Sequence, residues 1–130
     1  MHRYVLALFI IAAFFLALPQ PARADTASDT AWNAAYDAVL KNPTNRDLNK
    51  NYLSLCIARE DYEAAIAPLE RLLAQSPDDA NLIFKLGQMF HQLHSDKVAQ
   101  TYFKKVADAP TASAELKAQA ASLIQNQQQE

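Results

Sequence analysis

The sequence predicts an all-α solenoid made of two helix-turn-helix repeats, with one leading helix before them and one closing helix after them. Pro43, Pro77 and Pro110 are separated by 34 and then 33 residues, a period typical of repeats built from paired helices. Small and apolar residues recur at matching positions of consecutive units, and acidic residues stand where the helices should start. Each repeat of this kind buries its apolar face on its neighbours, so we expect one continuous core.

Residues 1–24 have the features of a secretory signal peptide. A short basic start is followed by a continuous apolar run of 14 residues, Val5–Leu18, which is shorter than the ~20 residues of a membrane-spanning helix. Ala22 and Ala24 supply the small residues that signal peptidase requires, so we expect cleavage after Ala24. The alternative is that the segment stays uncleaved as an anchor. Cleavage leaves 106 residues with a net charge of −4 and implies an exported protein.

The segment 25–44 is predicted to be the leading helix, which is the second helix of a repeat without its partner. When Arg46 is position 1 of a 34-residue unit, the preceding unit has alanines at positions 20, 24 and 27 and a proline at position 32. We therefore expect a helix from about Thr26 to Lys41, ended by Pro43.

The segment 45–79 is predicted to be the first complete repeat. Ala65 occupies position 20 of the unit, and Leu69 and Leu72 follow on the same helical face, where they can fill the space between helix pairs. Pro77 ends the second helix of the pair. Pro68 lies inside that helix and should kink it or remove one hydrogen bond.

The segment 80–113 is predicted to be the second repeat. Gly87 and Ala99 occupy positions 8 and 20, where small residues let the two helices of a pair approach closely. We expect Gly87 to tolerate alanine but not leucine, because a branched side chain would overpack the crossing. The large apolar residues of the unit occupy positions 7, 11, 24 and 27: Leu86, Phe90, Phe103 and Val106.

The segment 114–130 is predicted to be the closing helix and a polar tail. Ala120, Ala121 and Ile124 fall at positions 7, 8 and 11 of a third unit, so the segment is a first helix without its mate. Its glutamine-rich end suits a solvated cap.

This arrangement of positions resembles the tetratricopeptide repeat pattern over nearly the whole chain after residue 24. Two departures occur: Asn49 and Ile83 stand where the pattern has tryptophan, and the first unit has Tyr52 and Leu53 where the second has Leu86 and Gly87. The stretches AWNAAYDAVLKNPTN and EDYEAAIAPLERLLAQSPDD also resemble periplasmic repeat modules that precede an outer-membrane barrel. That resemblance implies a component of the cell envelope that assembles with other chains.

The residues offer little that indicates catalysis, a cofactor or nucleic acid. The single cysteine, Cys56, cannot form an intramolecular disulfide and is expected to be buried, the alternative being a reactive thiol. His91 and His94 have a spacing that could place two metal ligands together, but no third ligand is near in sequence, so we interpret them as surface residues. A single glycine excludes a glycine-rich phosphate loop, and the net negative charge disfavours nucleic acid. The protein is therefore predicted not to be an enzyme and to need neither cofactor nor metal.

The tetratricopeptide resemblance implies that the first helices of the repeats line a concave groove that receives a peptide or a partner protein. Phe84 is an aromatic residue on that face, where it would anchor a partner or pack against its own chain. The implied function is a scaffold or adaptor for protein binding. The alternatives are a structural module that self-associates through its unfinished ends and an accessory of an outer-membrane assembly or secretion system. The residues expected to form the groove are Lys50, Ser54, Ile57, Asn81, Phe84, Lys85, Gln88 and His91.

Overall fold

The structure, a computed structural model, describes residues 22–129, so residues 1–21 of the predicted signal peptide lie outside it. The described chain folds into six α-helices with no strand between them, which confirms the predicted fold class. None of these helices is both long enough and apolar enough to cross a membrane. The helices are α1 (Ala22–Lys41), α2 (Arg46–Ala58), α3 (Tyr62–Gln75), α4 (Ala80–Gln92), α5 (Asp96–Asp108) and α6 (Ala114–Gln127).

The starts of α2, α3, α4 and α6 are fixed by short polar side chains that cap free backbone amides. The Asn45 carboxamide accepts a hydrogen bond from the Leu48 N–H at 3.0 Å, and the Ser113 hydroxyl accepts one from the Leu116 N–H at 3.1 Å. Asp61 and Asp79 cap α3 and α4 in the same way. The acidic residues expected at helix starts therefore include Asp61 and Asp79.

Each repeat turns from its first helix to its second through one residue in the left-handed backbone region. Glu60 and His94 both have a φ of 57°, and they occupy the same position of the two repeats. The next amide in each turn reaches back to a helix carbonyl, which is the Schellman arrangement. The bonds are Asp61 N–H to Cys56 O at 2.9 Å and Ser95 N–H to Phe90 O at 2.8 Å.

In the turns between repeats, backbone carbonyls at matching positions accept hydrogen bonds from side chains of a neighbouring unit. Gln75 donates a hydrogen bond from its side chain to the Thr44 carbonyl at 3.0 Å, and Thr111 donates one to the Asp78 carbonyl at 2.9 Å. Thr44 and Asp78 are 34 residues apart. The period read in the sequence is thus repeated in the hydrogen bonds that hold the turns.

Consecutive helices make the main packing contacts, as expected for a solenoid. The buried residues form two clusters, one among α1, α2, α3 and α4 and the other among α4, α5 and α6. Three partly buried residues, Leu73, Phe90 and Tyr102, pack against both clusters. They form the seam that joins the two halves of the core.

Asn49 stands in the first repeat where the pattern has tryptophan, and it is completely buried. Its side-chain amide donates to the Pro43 carbonyl at 2.8 Å and to the Asn45 carbonyl at 2.7 Å. The Asn45 carbonyl also accepts the Asn49 backbone N–H at 3.1 Å, so the side chain chiefly satisfies the Pro43 carbonyl of the α1–α2 turn. The Asn49 Oδ1 has no hydrogen-bond partner in the part of the chain that the structure describes. Pro68 is also buried, and α3 continues through it from Tyr62 to Gln75.

The expectation that Gly87 tolerates alanine is wrong. A Cβ atom at Gly87 would lie 2.6 Å from Cε1 and 2.8 Å from Cδ1 of the Phe103 ring, closer than carbon atoms can approach. Phe103 is completely buried, so its ring has little room to move away. The first repeat has Leu53 and Leu69 at the two matching positions, and both belong to the first buried cluster.

We expect Gly87→Ala to lower the free energy of unfolding by ~1–3 kcal/mol through overpacking, and Gly87→Leu to lower it more. The double variant Gly87→Leu with Phe103→Leu reproduces the pair of the first repeat. It should be more stable than the sum of the two single changes predicts. Urea unfolding followed by circular dichroism measures all four proteins. Additive effects would show that the ring of Phe103 does not limit the space at Gly87.

We expect Glu60→Gly and His94→Gly each to stabilise the protein by roughly 0.5–1 kcal/mol, because glycine adopts a positive φ without the steric cost of a Cβ. Glu70→Gly is the control, since Glu70 is exposed inside α3 and glycine there should destabilise by ~1 kcal/mol. Thermal unfolding should therefore shift in opposite directions for the turn variants and the control. Lower melting temperatures for both turn variants would contradict the interpretation of these turns.

Candidate partner-binding groove

A groove with a volume of about 320 Å³ lies between α2 and α4, with one residue of α3 in its wall. On α2, Arg46, Lys50, Leu53 and Ile57 are spaced three or four residues apart, and Ser54 lies next to Leu53. These residues therefore share one face of the helix. The two α4 residues, three apart, share a face in the same way. The lining consists of Arg46, Lys50, Leu53, Ser54, Ile57, Leu72, Leu82 and Lys85.

The base of the groove is aliphatic. Leu53 and Leu72 are buried, with 5% and 1% of their surface exposed, and Leu82 is half-buried. Ile57 is 36% exposed, which makes it one of the few large apolar side chains that reach the solvent. An aliphatic side chain of another molecule would cover surface that is now in contact with water.

The rim of the groove is cationic and polar. Lys50, Lys85 and Ser54 are exposed, and Arg46 donates from its guanidinium to the Ser76 hydroxyl at 3.1 Å. No carboxylate belongs to the lining. The groove therefore combines an apolar base with polar groups at its edge, which is the usual composition of a small recognition site.

Comparison with known families agrees with this geometry. The family model of the tetratricopeptide repeat matches residues 46–89, about a third of the chain, which cover α2, α3 and most of α4. Residues 46–89 are therefore similar to a tetratricopeptide repeat. Tetratricopeptide repeats in general mediate protein-protein interaction and are not catalytic. No curated protein gives a significant match to the chain.

The groove between α2 and α4 includes four of the eight residues predicted from the sequence, namely Lys50, Ser54, Ile57 and Lys85. Asn81 and Gln88 are exposed on α4, as expected, but they do not line this groove. The structure thus places the candidate site between the first helices of the two repeats, along the whole of α2 and the N-terminal half of α4.

Phe84 does not lie on the groove, and its proposed role as an exposed anchor is wrong. Only 7% of Phe84 is exposed, and its ring packs against Phe103 with 5.6 Å between ring centroids. The same buried cluster contains Ala120 of α6. Phe84 therefore packs within its own chain, the alternative that the sequence left open.

His91 is engaged by the closing helix and does not line the groove. Its Nδ1 lies 2.8 Å from an Asp96 carboxylate oxygen and 3.0 Å from the Gln127 amide nitrogen. The Gln127 amide also donates to Asp96 at 3.3 Å. This contact joins the ends of α4 and α6. Within the part of the chain that the structure describes, no three His, Cys, Asp or Glu side chains come together in a way that could hold a metal ion.

Sequence reasoning missed Arg46, Leu53, Leu72 and Leu82 as parts of the groove. Leu53 and Leu72 occupy packing positions of the repeat, and both side chains also line the groove. Arg46 is the first residue of the repeat. A clue was available: Arg46, Lys50 and Ser54 are spaced at i, i+4 and i+8, which places them on one helix face.

A larger cavity of about 750 Å³ lies between the α3–α4 turn, α5 and the turn that follows α5. Its lining contains two lysines and two aspartates, Lys104, Lys105, Asp78 and Asp108, so its charges balance. A cavity of about 220 Å³ occupies the matching place one repeat earlier, beside Pro43 and Arg71. We interpret this feature as a general result of packing each inter-repeat turn on a second helix.

Cys56 is completely buried and free, as the sequence predicted. Burial raises the pKa of the Cys56 thiol, and a hydrogen bond with Tyr52 partly opposes that shift. Burial also raises the pKa of the Tyr52 hydroxyl well above its ordinary range. Both groups are therefore held in their neutral forms in the folded protein.

We expect the protein to lose stability as the pH rises above about 9, the ordinary pKa of the thiol. The folded chain then holds protons that the unfolded chain has lost, so the free energy of unfolding falls as the pH rises. Urea unfolding at neutral and at alkaline pH measures this loss. The loss should be smaller in Cys56→Ala and in Tyr52→Phe, whereas equal losses in all three proteins would contradict the assignment.

Proposed function

We propose that the protein is a non-catalytic adaptor of the cell envelope and that its groove between α2 and α4 receives an extended segment of a partner protein. The observation that supports this proposal most directly is the open groove itself, with an aliphatic base and a rim on which Lys50, Ser54 and Lys85 are exposed. Tetratricopeptide repeats bind proteins or peptides, so the proposal assigns the general activity of the repeat to one surface.

The size of the groove limits what the partner contributes. A volume of about 320 Å³ is at the lower end of the usual range for binding pockets. It suits one or two side chains of an extended segment better than a whole helix. The base of the groove also fits a single side chain of the partner, because the exposed apolar surface of the base is largely that of Ile57.

The envelope location is part of the proposal and rests on residues 1–24. Their basic start, their 14-residue apolar run and Ala22 and Ala24 before the expected cleavage point indicate export. The proposed compartment is the periplasm of a Gram-negative bacterium. The resemblance to repeat modules that precede outer-membrane barrels favours a partner in envelope assembly or secretion.

Self-association through the two ends has less support. A stacked copy would have to bury the outward faces of α1 and α6, and the exposed residues of α6 are mainly alanine, serine, glutamine and asparagine. The face of α6 offers little apolar surface to remove from water and suits a solvated end of a solenoid. On α1, by contrast, Tyr36 and Leu40 are 40% and 56% exposed, so a stack would place an apolar face against a polar one.

The experiment that tests the proposal places a photo-crosslinking amino acid at position 54 in the full chain, expressed in a Gram-negative host that encodes the protein. We expect a discrete adduct from the periplasmic fraction, in which this protein begins at Asp25. The same amino acid at position 122 is the control, because Ser54 and Ser122 are both exposed serines on first helices and only Ser54 lines the groove.

Ile57→Ala should weaken the adduct at position 54, since it removes apolar surface from the groove and costs ~1–3 kcal/mol of binding if Ile57 is an anchor. Equal adducts at positions 54 and 122 would contradict the groove as the binding site. A full-length chain found only in the membrane fraction would contradict the proposed export.

A further inference from the structure

The groove between α2 and α4 carries a positive charge that the rest of the chain does not share. The whole protein has a net charge of −2, yet Arg46, Lys50 and Lys85 line this one site and no acidic residue joins them. The larger cavity beside α5 contains acids and bases in equal number. The charge of the groove is thus a local feature of this surface.

These three cations are not neutralised within the described chain. The salt bridges among residues 27–129 are Arg59 with Asp29 and His91 with Asp96, and neither involves the groove. Arg46 bonds to the uncharged hydroxyl of Ser76. Cations gathered around a low-dielectric base raise the local concentration of anions.

From these observations we propose that the groove selects an acidic segment of the partner, with side-chain carboxylates at the rim and one aliphatic side chain on the base. This inference rests on the proposed function of the same groove. Lys50 and Lys85 would meet the carboxylates, and Leu53 with Ile57 would contact the aliphatic side chain. The charges on the rim would chiefly set partner choice and association rate, while the apolar contact would set residence time.

The carboxylates are assigned to side chains of the partner and not to its chain terminus. A chain terminus offers one carboxylate at one point, whereas Lys50 and Lys85 project from two different helices along the groove. Beside Lys50, the exposed groove residue one turn further along α2 is Ser54, which offers a single hydroxyl. Two or more carboxylates spaced along an extended segment fit this distribution of charge better.

The test uses the purified protein and synthetic peptides of about six residues, which span ~20 Å when extended. All peptides are acetylated, and the first four are also amidated so that their ends are neutral. One contains a central leucine among aspartate and glutamate residues, a second contains the same leucine among lysines, and a third contains it among serines. A fourth is the acidic peptide with serine in place of leucine, and a fifth is the acidic peptide with a free carboxyl end.

We expect the acidic leucine peptide to bind most tightly, and its affinity to fall as salt concentration rises. The lysine peptide should not bind measurably. The free carboxyl end should change the affinity by less than about twofold, because rim carboxylates already supply the charge. Fluorescence anisotropy measures the affinities, and amide chemical shifts report whether α2 and α4 carry the bound peptide.

The variant with Lys50→Gln and Lys85→Gln should bind the acidic leucine peptide about fivefold to tenfold more weakly, with a smaller salt dependence. The matched control carries Lys97→Gln and Lys104→Gln. It has the same change in net charge, and both lysines are exposed on α5 outside the groove. Its affinity should change by less than about twofold.

The outcomes separate this inference from the proposed function. If the serine and acidic peptides with leucine bind α2 and α4 equally well, or if the control variant loses as much affinity as the groove variant, the charge inference is overturned and the groove remains a binding site. If a free carboxyl end is needed for binding, the terminus is the ligand and the inference is also overturned. If none of the peptides shifts the resonances of α2 and α4, both the inference and the proposed function are contradicted.

Discussion

The contact between Gly87 and the ring of Phe103 sets how closely the two helices of the second repeat can approach. The ring fills the space that a side chain at Gly87 would occupy. The same ring also packs against the ring of Phe84 in the core. The first repeat solves the same packing problem with two leucines, Leu53 and Leu69. In the second repeat the large side chain is on the second helix and the small residue on the first, whereas in the first repeat both helices carry a leucine. Leu53 on the first helix therefore has a side chain that forms part of the groove base.

The groove also depends on how the two halves of the core are joined. Its α2 wall belongs to the first buried cluster, and α4 contributes residues to both clusters. Leu73, Phe90 and Tyr102 form the seam, in which the rings of Phe90 and Tyr102 stack at 5.5 Å. Partly buried seams are more easily rearranged than fully buried cores. The three seam residues do not line the groove, but they join the two clusters from which its walls come.

Most of the fold could be predicted from the sequence because it depends on local spacing. The prolines gave the period, and the small and apolar residues indicated which faces pack, so six helices and their order followed. The same local rules could not place α6 against α4. The sequence therefore predicted an open surface for Phe84 and His91, although α6 contributes to covering both. The space available to Gly87 was also beyond local rules, since it depends on the rotamer of Phe103, 16 residues away.

The contact of Gln127 with His91 and Asp96 has a consequence for the number of partners that one chain can hold. A solenoid with three first helices, α2, α4 and α6, has two spaces between them where a groove can form. In the described chain the space between α4 and α6 is crossed by this contact at one end and contains a buried cluster with Phe84 and Ala120. The space between α2 and α4 is left open, so under the proposed function one chain would offer a single groove of this kind to a partner segment. Avidity for a repetitive or multimeric partner would have to come from several copies held together by that partner, and not from neighbouring grooves on one chain.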